Sequence, residues 1–301
     1  MTTQPRVAVI VVTWNSAGVV ADLLTSLHAG MRGLDWDLVV ADNDSADGTV
    51  DVVRSLAPAA QIVETGRNAG YAAGINAALR RVETASAVLI LNPDVRLRPG
   101  AGIELVRGLS EPRAGIVVPV QLDAQGRVLP TLRRDPTLLR AWGEAVLGGD
   151  VAGRNPLLGE VVHDPAAYAS AGWHDWASGS VMLVSRECLT ATGPWDESLF
   201  LYSEETDFVL RAREAGFRLL LRPEARAVHL QGESHASPAL WRILILNKVR
   251  FYARRHNRAA TAGFWLALVT GEGLRAVAGR ATSRAAFAGL LLAGRGSRGG
   301  P

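Results

Sequence analysis

The chain has 301 residues, 48% of them hydrophobic, a formal net charge of +3 and one cysteine. That length suffices for one large α/β domain with an appendage or for two small domains, and the apolar content suffices for a substantial core. The single Cys188 excludes a disulfide within the chain and a cysteine-based zinc site. No apolar run approaches the roughly 20 residues of a membrane-spanning helix, and no leader precedes the first strand-like residues, so we expect a cytoplasmic protein.

Four segments of strand length occur in the first hundred residues, and they alternate with helical patterns that follow polar turns. They lie at residues 7–12, 38–41, 61–64 and 87–91. Strands that alternate with helices in this way predict βαβ units, and therefore a parallel, right-handed, Rossmann-like α/β sheet. The polar turns after the first, second and fourth strands then lie together, because the carboxyl ends of parallel strands meet at the edge where ligands bind.

The turns after the first three strands contain residue types that begin helices or bind ligands. Asn15 or Ser16 can cap the first helix, and Asp47 or Thr49 can cap the second. A glycine-rich stretch at residues 66–76 follows the third strand. Its glycines allow a close backbone approach to a ligand, although a tight strand–helix junction also explains them, and the lysine of a P-loop is absent.

The fourth strand stops at Asn92-Pro93-Asp94, because proline lacks the amide proton of a strand ladder and fixes φ. Asp94 is thereby placed at the carboxyl end of a central strand. A fixed carboxylate beside an amide suits a hard cation such as Mg²⁺ or Mn²⁺. The same three residues also form a good turn without any ligand.

Beyond residue 115 the alternation of strands and helices gives way to shorter, less regular segments. A strand is expected at residues 116–120, and a short buried strand at residues 181–184. Residues 130–168 contain four prolines and a pair of adjacent glycines. We expect an irregular insertion there, placed over the active edge of the sheet.

A later helix opens with acidic residues, since Glu204, Glu205 and Asp207 fall within one turn. Three acids in a first helical turn suit the helix dipole, and without other context this is the simpler explanation. His229 follows the last expected strand, and a lone histidine in such a position is more often structural than a metal ligand.

The last sixty residues are strongly basic. After Leu240 there are eleven Lys and Arg residues against Glu272 alone. We predict a main domain at residues 1–240 and a basic amphipathic helical tail at residues 241–301, disordered at its end over residues 297–301. Such a tail either lies on an anionic membrane surface or packs as a helical pair against the main domain.

Eight short motifs follow one another along the first 240 residues. They are VVTWN at 11–15, ADNDSADGT at 41–49, RNAGYAAGIN at 67–76, NPDV at 92–95, SGSVMLV at 178–184, PWDE at 194–197, LYSEETDF at 201–208 and AVH at 227–229. Any one of them carries little information, but in this order they resemble the inverting nucleotide-sugar transferases of glycosyltransferase family 2. The resemblance implies the GT-A fold, which is a Rossmann-like, mixed but mainly parallel sheet flanked by helices, here with a C-terminal helical extension.

The resemblance also implies a donor side and a metal. The nucleotide sugar would be bound by Thr13, Asn15, Asp42, Asn43, Asn68, Gly70 and Asn92, with the pair at 42–43 reading the pyrimidine edge and the ribose. Asp94 matches the last acid of the family's Asp-x-Asp metal motif, whereas Asn92 stands at its first acid. One carboxylate still suffices, because Mg²⁺ keeps water and diphosphate oxygens as ligands. His229 matches a further ligand of some relatives and allows Mn²⁺, so the implied cofactor is a divalent cation, Mn²⁺ or Mg²⁺.

Glu205 matches the second acid of the family's Glu-Asp motif, whose carboxylate is the catalytic base. It is Glu rather than Asp in this chain, which leaves Glu204 and Asp207 as supporting acids or substitutes. In a single inverting displacement, one base must take the proton of the acceptor hydroxyl while cationic charge stabilises the departing diphosphate.

Within the family, the chain is most similar to the rhamnosyltransferases of actinobacterial cell-wall assembly. The shared parts are NPDV…RPG at 92–100, RVLPTLR at 127–133, LG…RNP at 147–156 and GW…ASGS at 172–180. Those enzymes add L-rhamnose from dTDP-rhamnose to GlcNAc on a polyprenyl diphosphate. The implied partners are that donor and a glycan or lipid-linked acceptor at the inner membrane face, with UDP-GlcNAc and UDP-galactofuranose as alternative donors. Trp176, Ser178 and Gly179 would wall the acceptor side, although Trp176 could also be a plain aromatic brace.

Two functions of other classes share parts of this pattern. A nucleotidyltransferase would need a glycine-rich, basic loop after the first strand, and residues 13–16 lack one. A non-catalytic subunit would bind a nucleotide sugar without forming product. Nucleic acid is not an expected partner, because the tail arginines lack an aromatic stacking platform. The leading hypothesis requires that Asp94 and Glu205 share one pocket.

Overall fold

The computed structural model describes residues 6–82, 84–230 and 237–296. The chain divides into two compact units. The first unit is formed by Met1–Thr131, Pro165–Phe200 and Glu204–Leu230, and the second by Leu132–Asp164, Leu201–Ser203 and Gln231–Pro301. The end predicted to be disordered, residues 297–301, lies outside the described residues.

The strands of the described residues, in chain order, are β1 Val7–Thr13, β2 Trp36–Asp42, β3 Gln61–Glu64, β4 Ala87–Leu91, β5 Val95–Leu97, β6 Ala114–Leu122, β7 Leu132–Arg133, β8 Gly172–His174, β9 Trp176–Ala177, β10 Val181–Ser185 and β11 Arg218–His229. The helices are α1 Ala17–Gly30, α2 Thr49–Leu56, α3 Tyr71–Leu79, α4 Ala101–Gly108, α5 Leu138–Leu147, α6 Gly149–Ala152, α7 Arg186–Thr192, α8 Glu204–Glu214, α9 Pro238–Arg255, α10 Arg258–Val277 and α11 Ala281–Gly296. A 3₁₀ turn covers Pro165–Tyr168.

The first unit is built on a nine-stranded sheet with the order β3-β2-β1-β4-β10-β6-β11-β5, and β8 pairs with β11. The four N-terminal strands are parallel, as their alternation with helices predicts. β10 runs antiparallel to both β4 and β6, and β5 runs antiparallel to β11. The prediction of a mixed, mainly parallel α/β sheet flanked by helices is therefore confirmed.

The reversed direction of β10 brings distant residues to one edge of the sheet. Val181 at the start of β10 pairs with Leu91 at the end of β4. The 178–180 turn therefore stands beside the residues that follow β4, and the amide of Asn92 donates to the carbonyl of Ser180 at 2.9 Å. Every residue of β1, β4 and β10 is buried, as expected for central strands that are covered on both faces.

The first two helices begin differently from the caps that the sequence indicates. Ser16 is the N-cap of α1, but its side chain makes no capping bond. The carboxylate of Asp47 accepts a hydrogen bond from the amide of Ala17 at 2.9 Å, and from the amide of Thr49 at 3.1 Å. Gly48 is the N-cap of α2. One carboxylate thus serves the start of both helices, because two loops meet at the carboxyl edge of the sheet.

The central part of the insertion at residues 130–168 is helical, so the expectation of an irregular segment is wrong there. Thr137 caps α5 by accepting a hydrogen bond from the amide of Arg140. Pro136 stands outside the helix and does not interrupt it. Ala141 and Ala145, four residues apart, lie on a buried face. The prolines therefore flank the helix instead of breaking it.

The C-terminal part of the second unit is a helical extension, as predicted. Tyr252 of α9, Phe264 of α10 and Leu290 of α11 belong to one apolar core. The fully buried Glu272 is compensated there, since it accepts a hydrogen bond from the Trp241 indole at 3.1 Å and pairs with Arg275 at 2.8 Å. Within the described part of the chain, we find no helix with the length and apolar character needed to cross a bilayer.

Asn76 of α3 offers a test of how the first unit is held together. Its side chain donates to the carbonyl of Trp195 at 2.9 Å and accepts from the Trp195 amide at 3.0 Å. Asn76→Ala should lower the free energy of unfolding by about 2–4 kcal/mol, because it leaves buried backbone groups unpaired. Urea unfolding measures the change. Thr25→Ala, on the exposed side of α1, should stay within about 0.5 kcal/mol of the parent, and equal losses in the two variants would contradict the prediction.

Candidate active site

The carboxylate of Asp42 organises the loops after β1 and β2. Thr13, its partner in the β1–β2 register, donates its hydroxyl to Asp42 Oδ1 at 2.7 Å. The hydroxyl of Ser45 donates to the same oxygen at 2.6 Å, and the Ser45 amide donates to Oδ2 at 2.8 Å. Asp42 is only 2% exposed. Its carboxylate therefore fixes two loops at the sheet edge.

Asn15 ties the same two loops together from the other side. Its amide donates to Ser45 Oγ at 2.8 Å, and its side-chain Oδ1 accepts from the amide of Ala46 at 2.9 Å. Burial alone would raise the pKa of Asp47, but its hydrogen bonds from Thr49 and Ala17 outweigh burial and hold that pKa below its usual value. Trp14 lies between Thr13 and Asn15, which are both held by hydrogen bonds, and it is 55% exposed. The sequence indicates no role for this side chain.

Asn43, Asn68 and Gly70 form the next part of the site. The amide of the buried Asn43 side chain donates to the carbonyl of Gly70 at 3.0 Å, and Asn68 Oδ1 accepts from the Gly70 amide at 3.2 Å. Gly70 has φ +93°, and a Cβ there would lie 2.2 Å from the carbonyl oxygen of Phe200. Only glycine fits this position. The amide of Tyr71 donates to the same Phe200 carbonyl at 3.0 Å.

Asp94 and His229 meet at the ends of adjacent strands. Val95 of β5 pairs with His229 of β11, so the side chain just before Val95 comes close to the imidazole. Asp94 Oδ1 lies 3.3 Å from His229 Nε2, and both side chains are largely buried. The amide of Leu230 donates to the Asp94 carbonyl at 3.1 Å. A carboxylate oxygen and an imidazole nitrogen at this separation can bind one cation together.

The three acids at the start of α8 have different surroundings. Asp207 forms an ion pair with Arg211 at 2.7 Å, and Arg211 also donates to the carbonyl of Thr192 at 2.7 Å. Asp207 therefore orients Arg211, which joins α8 to the end of α7. Glu204 is 3% exposed. Glu205 is the least buried residue of the three, and Gly179 lies against it, with a Cβ at 179 placed 3.1 Å from the Glu205 Cβ.

The side chain of Tyr71 is influenced both by Asp94 and by the acids at the start of α8. Its hydroxyl donates to the carbonyl of Gly179 at 3.3 Å. Burial raises the pKa of Tyr71 well above its ordinary value, and the negative charges of Glu204, Glu205 and Asp94 raise it further. The phenol therefore stays protonated and remains a donor. The charges of Asp94 and Glu205 thus both influence Tyr71, a residue for which the sequence indicates no role.

The 178–180 turn, which precedes β10, is held by hydrogen bonds between polar side chains. Ser180 donates its hydroxyl to Gln121 Oε1 at 2.8 Å, and the hydroxyls of Ser178 and Ser180 lie 3.3 Å apart. Trp176 is only 7% exposed. Burial of Trp176 favours the aromatic brace over a wall that touches a ligand, whereas Gly179 stands beside Glu205.

Strained backbone leads into α8. Tyr202 and Ser203 have φ values of +68° and +72°, which non-glycine residues adopt rarely. The side-chain amide of Asn247 donates to the carbonyl of Leu201 at 2.9 Å and to that of Tyr202 at 3.4 Å. Asn247 therefore holds this conformation, and a lone asparagine in a helix gives no sequence signal for such a role.

Known proteins resemble this chain in sequence and in fold. A family model described as glycosyl transferase family 2 matches residues 8–153. The N-acetylglucosaminyl-diphospho-decaprenol L-rhamnosyltransferase of Mycobacterium tuberculosis is 30% identical over 243 residues, which cover 76% of this chain and 77% of that protein. The chain belongs to glycosyltransferase family 2. The low-salt glycan biosynthesis hexosyltransferase Agl10 of Haloferax volcanii is 28% identical over 173 residues, 56% of this chain and 51% of that protein.

Solved glycosyltransferases have the same fold. The mannosyltransferase PcManGT from Pyrobaculum calidifontis, in complex with GDP-Man and Mn²⁺, aligns with a TM-score of 0.58 at 20% identity, covering 98% of this chain and 81% of that one. TarS 1–349 from S. aureus aligns with a TM-score of 0.54 at 17% identity, covering 89% and 80%. The predicted family and GT-A fold are confirmed, and membership favours sugar transfer over nucleotidyl transfer or binding alone.

Tyr71→Phe tests the link between the turn and the acids of this glycosyltransferase. Removing the hydroxyl deletes the hydrogen bond to the Gly179 carbonyl, so the turn is held less firmly beside Glu205. We expect the transfer rate to fall about threefold to tenfold, the equivalent of one hydrogen bond, while donor affinity changes less than about twofold. Steady-state kinetics and titration calorimetry measure the two quantities.

Tyr252→Phe is the matched control for this change, because Tyr252 lies in the core of the second unit. It should leave both quantities near those of the parent. A Tyr71→Phe enzyme with unchanged turnover would show that the phenol does not position the turn.

Proposed function

We propose that this glycosyltransferase transfers L-rhamnose from dTDP-rhamnose to GlcNAc carried on a polyprenyl diphosphate. The observation that supports the transfer chemistry is that Glu205 lies against Gly179, whose carbonyl accepts the Tyr71 hydroxyl, while the charges of both Glu205 and Asp94 raise the pKa of Tyr71. The sugar and the acceptor are supported by the mycobacterial relative, whose name gives a decaprenol-linked acceptor and L-rhamnose. UDP-GlcNAc and UDP-galactofuranose are the alternative donors.

Glu205 acts as the base in the proposed mechanism. Its carboxylate takes the proton of the acceptor hydroxyl as the hydroxyl oxygen forms a bond to the anomeric carbon. The bond from that carbon to the diphosphate oxygen breaks on the opposite face, so the configuration inverts and nucleoside diphosphate leaves. The position of Glu205 against Gly179, which has no side chain, supports Glu205 in this role. Glu204 and Asp207 are the proposed supporting acids, not the base, because Glu204 is buried and Asp207 is paired with Arg211.

Asp94 and His229 are the proposed ligands of a divalent cation, Mn²⁺ or Mg²⁺. Their 3.3 Å separation fits a shared ion. The described ranges contain no group of three His, Cys, Asp or Glu side chains that could hold a metal ion, so the protein would supply two ligands and the donor diphosphate and water the rest. A bound cation would neutralise charge on the leaving diphosphate. PcManGT and GalNAc-T7 are both solved with Mn²⁺.

The loops around Asp42 form the proposed nucleotide side. Thr13, Asn15, Asp42 and Asn43 would present the base and ribose with a rigid edge, since their hydrogen bonds fix the loops before any ligand arrives. Asn68, Gly70 and Asn92 would line the diphosphate, and Ser178 and Gly179, backed by Trp176, would line the acceptor. Because that acceptor is lipid-linked, we place the enzyme in peripheral contact with an anionic membrane at its inner face, without a nucleic-acid partner.

Glu205→Gln should abolish transfer and retain donor binding, because the amide cannot take a proton but keeps the size of the side chain. We expect turnover to fall at least about a hundredfold, with a donor dissociation constant within about threefold of the parent. Glu214→Gln, at the other end of α8, is the control and should behave as the parent. A Glu205→Gln enzyme that turns over at the parent rate would rule out this base.

A donor panel tests the proposed sugar and cation. Purified enzyme is incubated with a GlcNAc-diphosphate-lipid acceptor and dTDP-rhamnose, UDP-GlcNAc, UDP-galactofuranose or GDP-mannose, with Mn²⁺, Mg²⁺ or chelator. We expect product from dTDP-rhamnose alone, at a rate that falls at least about tenfold with chelator, since diphosphate charge is then uncompensated. Product analysis by mass spectrometry decides the donor, and a full rate in chelator would remove the cation from the mechanism.

A further inference from the structure

The second unit concentrates exposed apolar side chains. Sixteen large apolar side chains are exposed in the described residues, and eleven of them belong to this unit. Its described segments also contain fourteen Lys and Arg residues against six Asp and Glu residues. A surface that is both apolar and basic differs from an ordinary solvated surface, where charge of both signs is mixed.

Much of this apolar surface comes from α5 and α10, which lie side by side. The side chain of Leu138 lies against Gly263, and Ala145 lies against Gly271. The two contacts advance along the chain together, so the helices run parallel. Glycine at both points allows a close approach of the two backbones.

Each of the two helices carries an exposed apolar stripe. Leu139 and Val146 of α5 are 56% and 67% exposed, and Leu266, Leu274 and Val277 of α10 are 47%, 58% and 91% exposed. The members of each stripe are spaced by seven, eight or three residues, which keeps each stripe within about one quarter of a turn at about 100° per residue.

The two stripes face the same side of the helix pair. Measured round α10 at about 100° per residue, the stripe lies about 70° from the line of contact with α5. Measured in the same rotational sense round α5, the α5 stripe lies about 100° from the line of contact with α10, in the opposite direction. The two helices run parallel and face each other across that line. Opposite rotations therefore turn both stripes toward the same side of the helix pair. Leu139, Val146, Leu266, Leu274 and Val277 thus form one surface, named here the α5–α10 face.

Basic side chains border the α5–α10 face where α10 ends. Arg280 and Arg284 are exposed just beyond Val277, and Arg284 Nε donates to the carbonyl of Ala276 at 3.4 Å. An apolar centre with an arginine border is complementary to a bilayer, whose acyl region accepts the aliphatic side chains while its anionic headgroups attract the cations.

We propose that the α5–α10 face is a docking surface for an anionic lipid bilayer, formed jointly by the insertion between β7 and the 3₁₀ turn and by the C-terminal extension. This inference rests on the proposed function only in that a polyprenyl-linked acceptor is itself held in a bilayer. The aliphatic side chains enter the headgroup boundary, and the arginines at its border contact anionic headgroups. The tail alone would not suffice, because two of the five side chains of the face, Leu139 and Val146, belong to α5.

Sedimentation with vesicles tests the docking surface on the full chain. The vesicles contain phosphatidylcholine alone or with one third phosphatidylglycerol. We expect parent enzyme to bind the anionic vesicles, and Leu274→Asp with Val277→Asp to weaken that binding at least tenfold. Leu139→Asp with Val146→Asp should have the same effect, because α5 contributes to the same face. Arg280→Gln with Arg284→Gln should weaken binding to the anionic vesicles only.

The control pair is Leu56→Asp with Val128→Asp, which changes two side chains of 49% and 48% exposure in the first unit. It should bind vesicles as the parent does. Equal vesicle affinity in the α10 pair and the parent would overturn the proposal. So would light scattering that shows a parent dimer converted to a monomer by the α10 pair, since a second copy would then cover the face.

Activity separates this proposal from the proposed function. With a GlcNAc-diphosphate carrying a short, water-soluble chain, the α10 pair should transfer at the parent rate, whereas on acceptor in anionic vesicles its rate should fall at least tenfold. Parent enzyme that binds vesicles through this face but forms no rhamnosyl product would refute the donor and leave the docking surface standing. If the enzyme forms rhamnosyl product and none of the variants changes vesicle binding, the docking surface is refuted and the proposed donor stands.

Discussion

The site depends on the direction of one short strand. Because β10 runs antiparallel to β4, the residues before β10 stand beside the residues after β4. The hydrogen bond from the Asn92 amide to the Ser180 carbonyl continues that pairing past the end of the ladder. A parallel β10 would place the 178–180 turn at the opposite edge of the sheet, remote from Asp94. The proposed donor and acceptor sides face each other because of this reversal.

Two glycines set how closely the acid-bearing helix approaches the sheet edge. A Cβ at Gly70 would meet the Phe200 carbonyl at 2.2 Å, and a Cβ at Gly179 would lie 3.1 Å from the Glu205 Cβ. Phe200 lies a few residues before α8, and Glu205 lies in its first turn. A side chain at either glycine would push α8 away from Tyr71, and the distance between Glu205 and Asp94 would grow with it. Glycine at these positions is therefore a requirement of the site's geometry.

The parallel half of the sheet was predictable, since β1 and β4 are nearly continuous apolar runs, and all four strands end in polar turn residues such as Asn92-Pro93-Asp94. The direction of β10 was not, because a five-residue apolar strand pairs in either direction and no hairpin turn precedes it. Tyr71 was missed for a related reason. An aromatic residue at a helix start indicates packing, and only the fold brings Gly179 to its hydroxyl. The helix α5 was missed because the prolines near it were interpreted as breaks, although they flank it.

The surroundings of the three acids explain how a glutamate would serve as the proposed base where the Glu-Asp motif that the chain resembles has an aspartate. The longer side chain of Glu205 needs room for one more methylene group, and the residue it faces, Gly179, has no side chain to occupy that room. Asp207 cannot take over the role without losing Arg211, whose other bonds join α8 to the carbonyls of Thr192 and Pro194. Glu204 would have to leave a site where it is 3% exposed. The glutamate at 205 and the glycine at 179 are thus sterically complementary, and the proposed base follows from the pair rather than from the acidic motif alone.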